Sequence, residues 1–197
     1  MTFFDPTVAV PERLATDEFL LRPITVEDAE IDHAAVVETS EYLRLWEQTS
    51  WPEDDFSVAD NRADLEGLAE RHAAHRAFTY AVLDPTGGES LGCVYVFPTS
   101  ASFLAAAAVT ATGDLMWDEV DAVVYFWVRR SRMETGMDAR LLDALRGWFA
   151  GEWRLPRTVY VTNEQFTQQL ELIRRTDLRL QFEIREPGKA GTYLAFG

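Results

Sequence analysis

Apolar positions along this 197-residue chain fall into runs whose periods change from element to element. "FLLRP" at 19–23 reads as a short strand stopped by proline. "TVEDAEIDHAAVVETSEYLRLWE" follows at helical spacing, and Thr25 and Asp28 form the Ser/Thr-x-x-acid arrangement that starts helices. "WPEDDF" breaks the pattern before a second helical stretch over about 58–74. "AFTYAVL" and "SLGCVYVFP" are strand-like, and "DPTGG" between them supplies the turn of a hairpin. The segment 99–119 is Ala-rich, then acidic, and fits either a long substrate loop or a short helix.

From there the pattern is clearer. "DAVVYFWV" reads as a buried strand, and a helix is predicted over about 136–150. "TVYVTN" is a strand, and Phe166, Leu170 and Ile173 recur at helical spacing after it. "LQFEI" and "TYLAF" close the chain as two strands joined by "REPGKAG". The order β-α-α-β-β-β-α-β-α-β-β predicts an α/β fold: a mixed, mostly antiparallel central sheet with helices on both faces. Length and the absence of repeats or long linkers predict one domain over 1–197.

Charge narrows the function classes. A formal net charge of −15 argues against general binding of nucleic acid or anionic membranes, and it favours cationic small molecules. No leader pattern or apolar run long enough to span a bilayer is evident, so a cytoplasmic location is expected. The lone cysteine, Cys93, lies in an apolar run and reads as a core residue. His72 and His75 share a helix face, read as solvated; two imidazoles alone make no metal site. No Walker loop, dinucleotide fingerprint or nucleophile elbow is present.

The stretch "VRRSRMETGMDARLL" carries the candidate chemistry. A strand, a turn with Gly136 and a helix present unpaired N–H groups suited to an anion. Yet Glu134 and Asp138 are acidic, and "TGMD" reads as a capping box in which Thr135 and Asp138 occupy those donors themselves. Arg129, Arg130, Arg132 and Arg140 surround the turn and are placed to offset its acids.

"LLRPITVEDAE", the hairpin, "AVVYFWVRR" and "VTNEQFTQQLELIRRTDLRLQFEI" fall in an order that resembles the GCN5-related N-acetyltransferases over nearly the whole chain. The resemblance implies a pair of parallel strands, 122–128 and 158–162, that splay to hold acetyl-CoA. It implies that the backbone of Trp127, Val128 and Arg129 pairs with the pantetheine. Residues Glu134, Thr135, Gly136, Met137, Asp138 and Ala139 would form the pyrophosphate loop. Two of the three loop positions, Met133 and Asp138, depart from the family's pattern.

The resemblance implies a glutamate on the strand before the loop, but the matching position is Val123; of Asp118, Glu119 and Asp121 just before it, Asp121 is the expected proton acceptor. The family's tyrosine at the thiolate has no counterpart, Thr167 being the nearest hydroxyl, and Asn163 is expected to hydrogen-bond the pantetheine amides. Trp46, Trp51 and Glu119 would help line an acceptor pocket for a small-molecule or peptide amine. A homodimer is compatible with this reading. The alternative is a non-enzymatic member whose cofactor site has degenerated and which binds a small molecule or a protein.

Overall fold

A computed structural model describes residues 2–197. A nine-stranded sheet runs through it. In chain order the elements are β1 (Leu14–Ala15), β2 (Leu20–Pro23), α1 (Ala29–Glu47), α2 (Val58–Ala73), β3 (Phe78–Leu83) and β4 (Ser90–Phe97). Then follow α3 (Ser102–Ala105), β5 (Ala108–Ala111), β6 (Ala122–Val128), α4 (Arg130–Met133) and α5 (Met137–Gly151). β7 (Thr158–Asn163), α6 (Thr167–Arg174), β8 (Leu180–Arg185) and β9 (Tyr193–Phe196) complete the chain. Sheet order is β1-β2-β3-β4-β6-β7-β9-β8-β5, with every neighbouring pair antiparallel except β6 and β7.

The central strands are buried on both faces, which is why β3, β6 and β7 are near-continuous apolar runs instead of alternating ones. One core layer packs Phe78, Tyr80, Val124 and Phe126 with Leu141, Leu145 and Trp148 of α5. The other packs Val123, Tyr125, Trp127 and Val161 with Ala35, Leu43 and Trp46 of α1. A side chain such as Phe126, fully buried, is worth about 3–5 kcal/mol against truncation to alanine.

α1 starts as the sequence predicts. Asp28 accepts the Thr25 N–H at 2.9 Å and a bidentate pair from Arg22 at 2.6 and 2.8 Å. Burial alone would raise the Asp28 carboxyl; Arg22 and Thr25 outweigh it and hold it below the usual range.

Three features depart from expectation. The segment 99–119 is neither one loop nor one helix: it holds α3, the edge strand β5 paired with β8, and a 3-10 turn at Trp117–Glu119. "AVTA" has no apolar alternation because β5 is mostly exposed. β1 is only two residues long, too short for a periodic signal. His72 is buried, not solvated. Its Nδ1 lies 3.1 Å from Thr79 O and 3.2 Å from Thr79 N, between the Phe78 and Tyr80 rings, and burial depresses its basicity.

Candidate functional site

β6 and β7 pair in parallel from Ala122↔Thr158 to Tyr125↔Val161, and there the pairing stops. Phe126–Val128 and Thr162–Asn163 continue beyond it, so the sheet opens at the C-terminal ends of both strands. The Arg129 N–H donates to Leu91 O of β4 at 2.7 Å. Backbone groups alternate along a strand, so Trp127 and Arg129 face β4, while Phe126 and Val128 turn theirs toward the opening. Of the three backbone positions expected there, only Val128 faces it.

Buried polar atoms lie at the strand ends beside this opening, Asn163 on the α1 face of β7 and Thr162 on the α5 face. Thr162 Oγ1 and Asn163 Nδ2 have no partner in the protein, and both residues are 0% exposed. Asn163 Oδ1 accepts from Gln48 Nε2 at 3.1 Å and from the Gln165 N–H at 2.9 Å. From α6, Gln169 donates through Nε2 to Phe126 O at 2.8 Å, and its Oε1 is unpartnered. Thr167 is exposed at the first turn of α6.

The mouth of the opening lies between the N-termini of α5 and α6. Gly136 begins α5 with φ +72°, the left-handed region that favours glycine. Thr135 and Asp138 do not form the expected capping box. The Thr135 hydroxyl donates to Arg132 O at 2.7 Å, completing the turn that α4 makes of 130–133. Asp138 is turned inward and 5% exposed. Its carboxylate accepts the Ala139 N–H at 2.9 Å and Gln168 Nε2 at 2.5 Å, lacing the two helix starts together. Burial raises the Asp138 carboxyl, and these donors only partly oppose it. Glu134 and Met133, with Tyr42, Arg130 and Gln168, border a hollow of about 150 Å³.

Nor are the arginines free. Arg129 meets Glu38 at 2.5 Å and Glu89 at 3.1 Å; Arg132 meets Glu89 at 2.7 Å. Arg140 meets Glu18 at 2.6 Å and Arg130 meets Glu41 at 3.4 Å. Glu38 and Thr39 of α1 also accept the Ser131 and Arg130 N–H groups.

A second and larger space lies on the α1–α2 side of the sheet, a cavity of about 880 Å³ that reaches Tyr125. Trp46, Trp51, Tyr95, Phe97, Phe103 and Tyr193 supply aromatic walls; Asp32, Asp64, Glu47 and Glu186 supply acids, and Arg71, Arg76 and Lys189 also line it. Asp32 accepts Asn61 Nδ2 at 3.0 Å and Ser90 Oγ at 3.4 Å, and burial pushes its carboxyl up to about 6. Burial also raises Asp64 and Glu186. Two buried polar atoms on the cavity wall, Tyr125 OH and Trp46 Nε1, are unpartnered.

Trp46 and Trp51 are thus brought to one cavity. Glu119 is not among its lining residues; it accepts the Met116 N–H at 3.3 Å in an exposed turn. Asp121 sits before the closed end of the β6–β7 pair, where it accepts the Arg157 N–H at 2.9 Å and Arg157 Nη2 at 3.0 Å. The opening is at the other end of β6. Asp32, Asn61, Tyr125, Gln168, Gln169 and Glu186 are site residues that the sequence patterns did not single out.

This sheet, parted after one parallel pair, is the fold of the GCN5-related N-acetyltransferases. Among solved structures, the ribosomal L7/L12 α-N-protein acetyltransferase RimL, in complex with coenzyme A, matches with a TM-score of 0.67 at 16% identity. That match covers 94% of this chain and 96% of the other. Mycobacterium smegmatis RimJ, in complex with a CoA disulfide, has a TM-score of 0.67 and 16% identity, covering 90% and 80%. The microcin C7 self-immunity acetyltransferase MccE, in complex with acetyl-CoA and AMP, has a TM-score of 0.66 and 12% identity, covering 92% of each chain. No protein-family model matches the chain, and no curated protein matches it.

Acetyl-CoA fits this chain in one part and not in another. The unpartnered atoms of Thr162 and Gln169, with the backbone of Val128, suit an extended amide-bearing arm. The diphosphate end does not fit: a carboxylate already caps the Ala139 N–H, and the four nearby arginines are paired with glutamates.

Proposed function

We infer that this protein transfers an acetyl group from acetyl-CoA to a primary amine held in the α1–α2 cavity. One observation carries the reading. The cavity reaches Tyr125, the last residue of β6 still paired with β7, so it meets the opening where a donor's acyl end would lie. The neighbours described with CoA or acetyl-CoA bound support a thioester donor. RimL's described action on an α-amino group of a protein is compatible with a peptide amine as well as a small one.

Amine acetylation needs a neutral amine, a proton acceptor, a donor to the developing oxyanion and a proton for the departing thiolate. Aromatic and acidic walls suit an amine that arrives as a cation. Glu186, raised by burial against the opposing charge of Lys189, holds its proton closer to neutrality than an exposed glutamate and is the acceptor of choice. Burial keeps the Tyr125 phenol protonated, which makes its unpartnered hydroxyl a proton or hydrogen-bond donor. Asn163, at the end of β7, turns its amide toward Tyr193 on the cavity wall, and Thr167 lies at the start of α6. Asp121 is given no part, because Arg157 holds it at the closed end.

A second reading, a binding module without transfer, has one observation in its favour: the Asp138–Gln168 contact across the mouth. The deciding experiment is thiol release from acetyl-CoA in the presence of a panel of cationic primary amines, with mass spectrometry of the products. N-acetylated product with turnover is expected. No thiol release with any amine, together with no change in Tm on adding acetyl-CoA, would favour the second reading.

A further inference from the structure

We propose that the opening between β6 and β7 recognises its acyl donor through the amide-bearing arm alone, so that acetyl-pantetheine, which lacks the diphosphate, is bound as well as acetyl-CoA. The proposal rests on the donor reading above and narrows it to a donor class.

Two independent sets of atoms lead there. The first is at the inner end. Gln169 Oε1 is a free acceptor and the Thr162 hydroxyl can donate or accept; both residues are at most 3% exposed. Asn163 lies on the opposite face of β7, toward Tyr193. Buried polar atoms without partners are uncommon in folded proteins and imply a ligand or ordered water. An extended chain carrying amides supplies an N–H for Gln169 and either kind of partner for the Thr162 hydroxyl. A diphosphate supplies only acceptors and leaves Gln169 Oε1 unmatched.

The second set is at the mouth. An anion at the start of α5 meets the Asp138 carboxylate on one of that helix's first N–H groups. Glu134 stands four residues before Asp138 in the same turn. The arginines that might offset this charge are bound to Glu18, Glu38, Glu41 and Glu89. Like charges in a half-buried site repel more strongly than in water, and Arg140, the cation that acts on Asp138, is itself paired with Glu18.

The test is calorimetric titration of wild type, Asp138→Asn and Thr162→Val with acetyl-CoA and with acetyl-pantetheine at fixed salt. In wild type the two dissociation constants should agree within about tenfold, since one removed diphosphate contact set leaves the arm's hydrogen bonds intact. Asp138→Asn keeps the shape and the Ala139 contact and removes the charge; it should tighten acetyl-CoA by about tenfold and leave acetyl-pantetheine unchanged. Thr162→Val should weaken both ligands by about fivefold. Acetyl-CoA binding a hundredfold tighter than acetyl-pantetheine in wild type would overturn this proposal and leave the transfer reading standing. Thr162→Val without effect on either ligand would likewise overturn it. Binding of neither ligand would remove the transfer reading, and the proposal with it.

Discussion

Replacing Asp32 with asparagine should abolish a pH-dependent loss of stability that the wild type carries between about pH 4 and 6. Asp32 is 4% exposed, and burial is the largest influence on it. Its hydrogen bonds to Asn61 and Ser90 and the charge of His33 oppose burial, yet the carboxyl still sits at about 6 against an ordinary 3.8. The folded state therefore binds more protons than the unfolded state in this window, and stability falls as pH rises through it. At about 1.4 kcal/mol per pH unit, the rise corresponds to roughly 3 kcal/mol. Below about pH 4 both states are protonated at this residue and the penalty is absent; above about pH 6 it is present in full.

Asparagine has nearly the same shape, can still accept from Asn61 Nδ2, and does not titrate. Urea unfolding of both proteins from pH 4 to pH 7 gives the stability difference at each pH and cancels the other carboxylates. Wild type minus variant should fall by about 2–3 kcal/mol across that range. A difference that stays constant within about 0.5 kcal/mol would refute the claim that Asp32 is buried with an unfavourable charge.

Other substitutions separate chemistry from architecture. Tyr125→Phe should leave Tm nearly unchanged, because the hydroxyl has no partner to lose, and should lower kcat for acetyl transfer by about 10²-fold, the scale of one proton or oxyanion donor; a variant with full kcat would remove Tyr125 from the reaction. Asp138→Ala should destabilise by about 1–3 kcal/mol in denaturant unfolding, since Gln168 and the Ala139 N–H lose their acceptor; an unchanged midpoint would show that the laced helix starts contribute nothing.

The parts of the fold that rest on local pattern were legible. β6 spans 122–128 as its apolar run predicts, and β7 extends only one residue past the expected 158–162. Their parallel pairing follows from the helix between them. What escaped was set by partners distant in sequence. "TGMD" looks like a cap, yet Asp138 finds Gln168 thirty residues away. The arginine cluster looks available, yet its acids come from before β2, from α1 and from the β3–β4 turn.

One missed residue and one misplaced expectation did have a signal in the sequence. The buried stripe of α1 includes Ala29, Asp32, Val36, Thr39, Leu43 and Trp46, spaced by three and four. An aspartate inside such a stripe is a buried acid by periodicity alone. Asp121 precedes β6, whereas the strand-turn-helix that opens the sheet follows it, so chain direction alone places Asp121 at the closed end. Tyr125, inside a run buried on both faces, carries no local sign that its hydroxyl reaches a cavity.

A crystal structure of the protein soaked with acetyl-pantetheine and, separately, with acetyl-CoA tests the central claim most directly. One extended chain is expected in both, lying between β6 and β7, with amides within hydrogen-bond reach of Thr162 and Gln169 and the thioester beside Tyr125 at the end of the α1–α2 cavity. A thioester lodged elsewhere, or an opening still closed by protein side chains at saturating ligand, would contradict it.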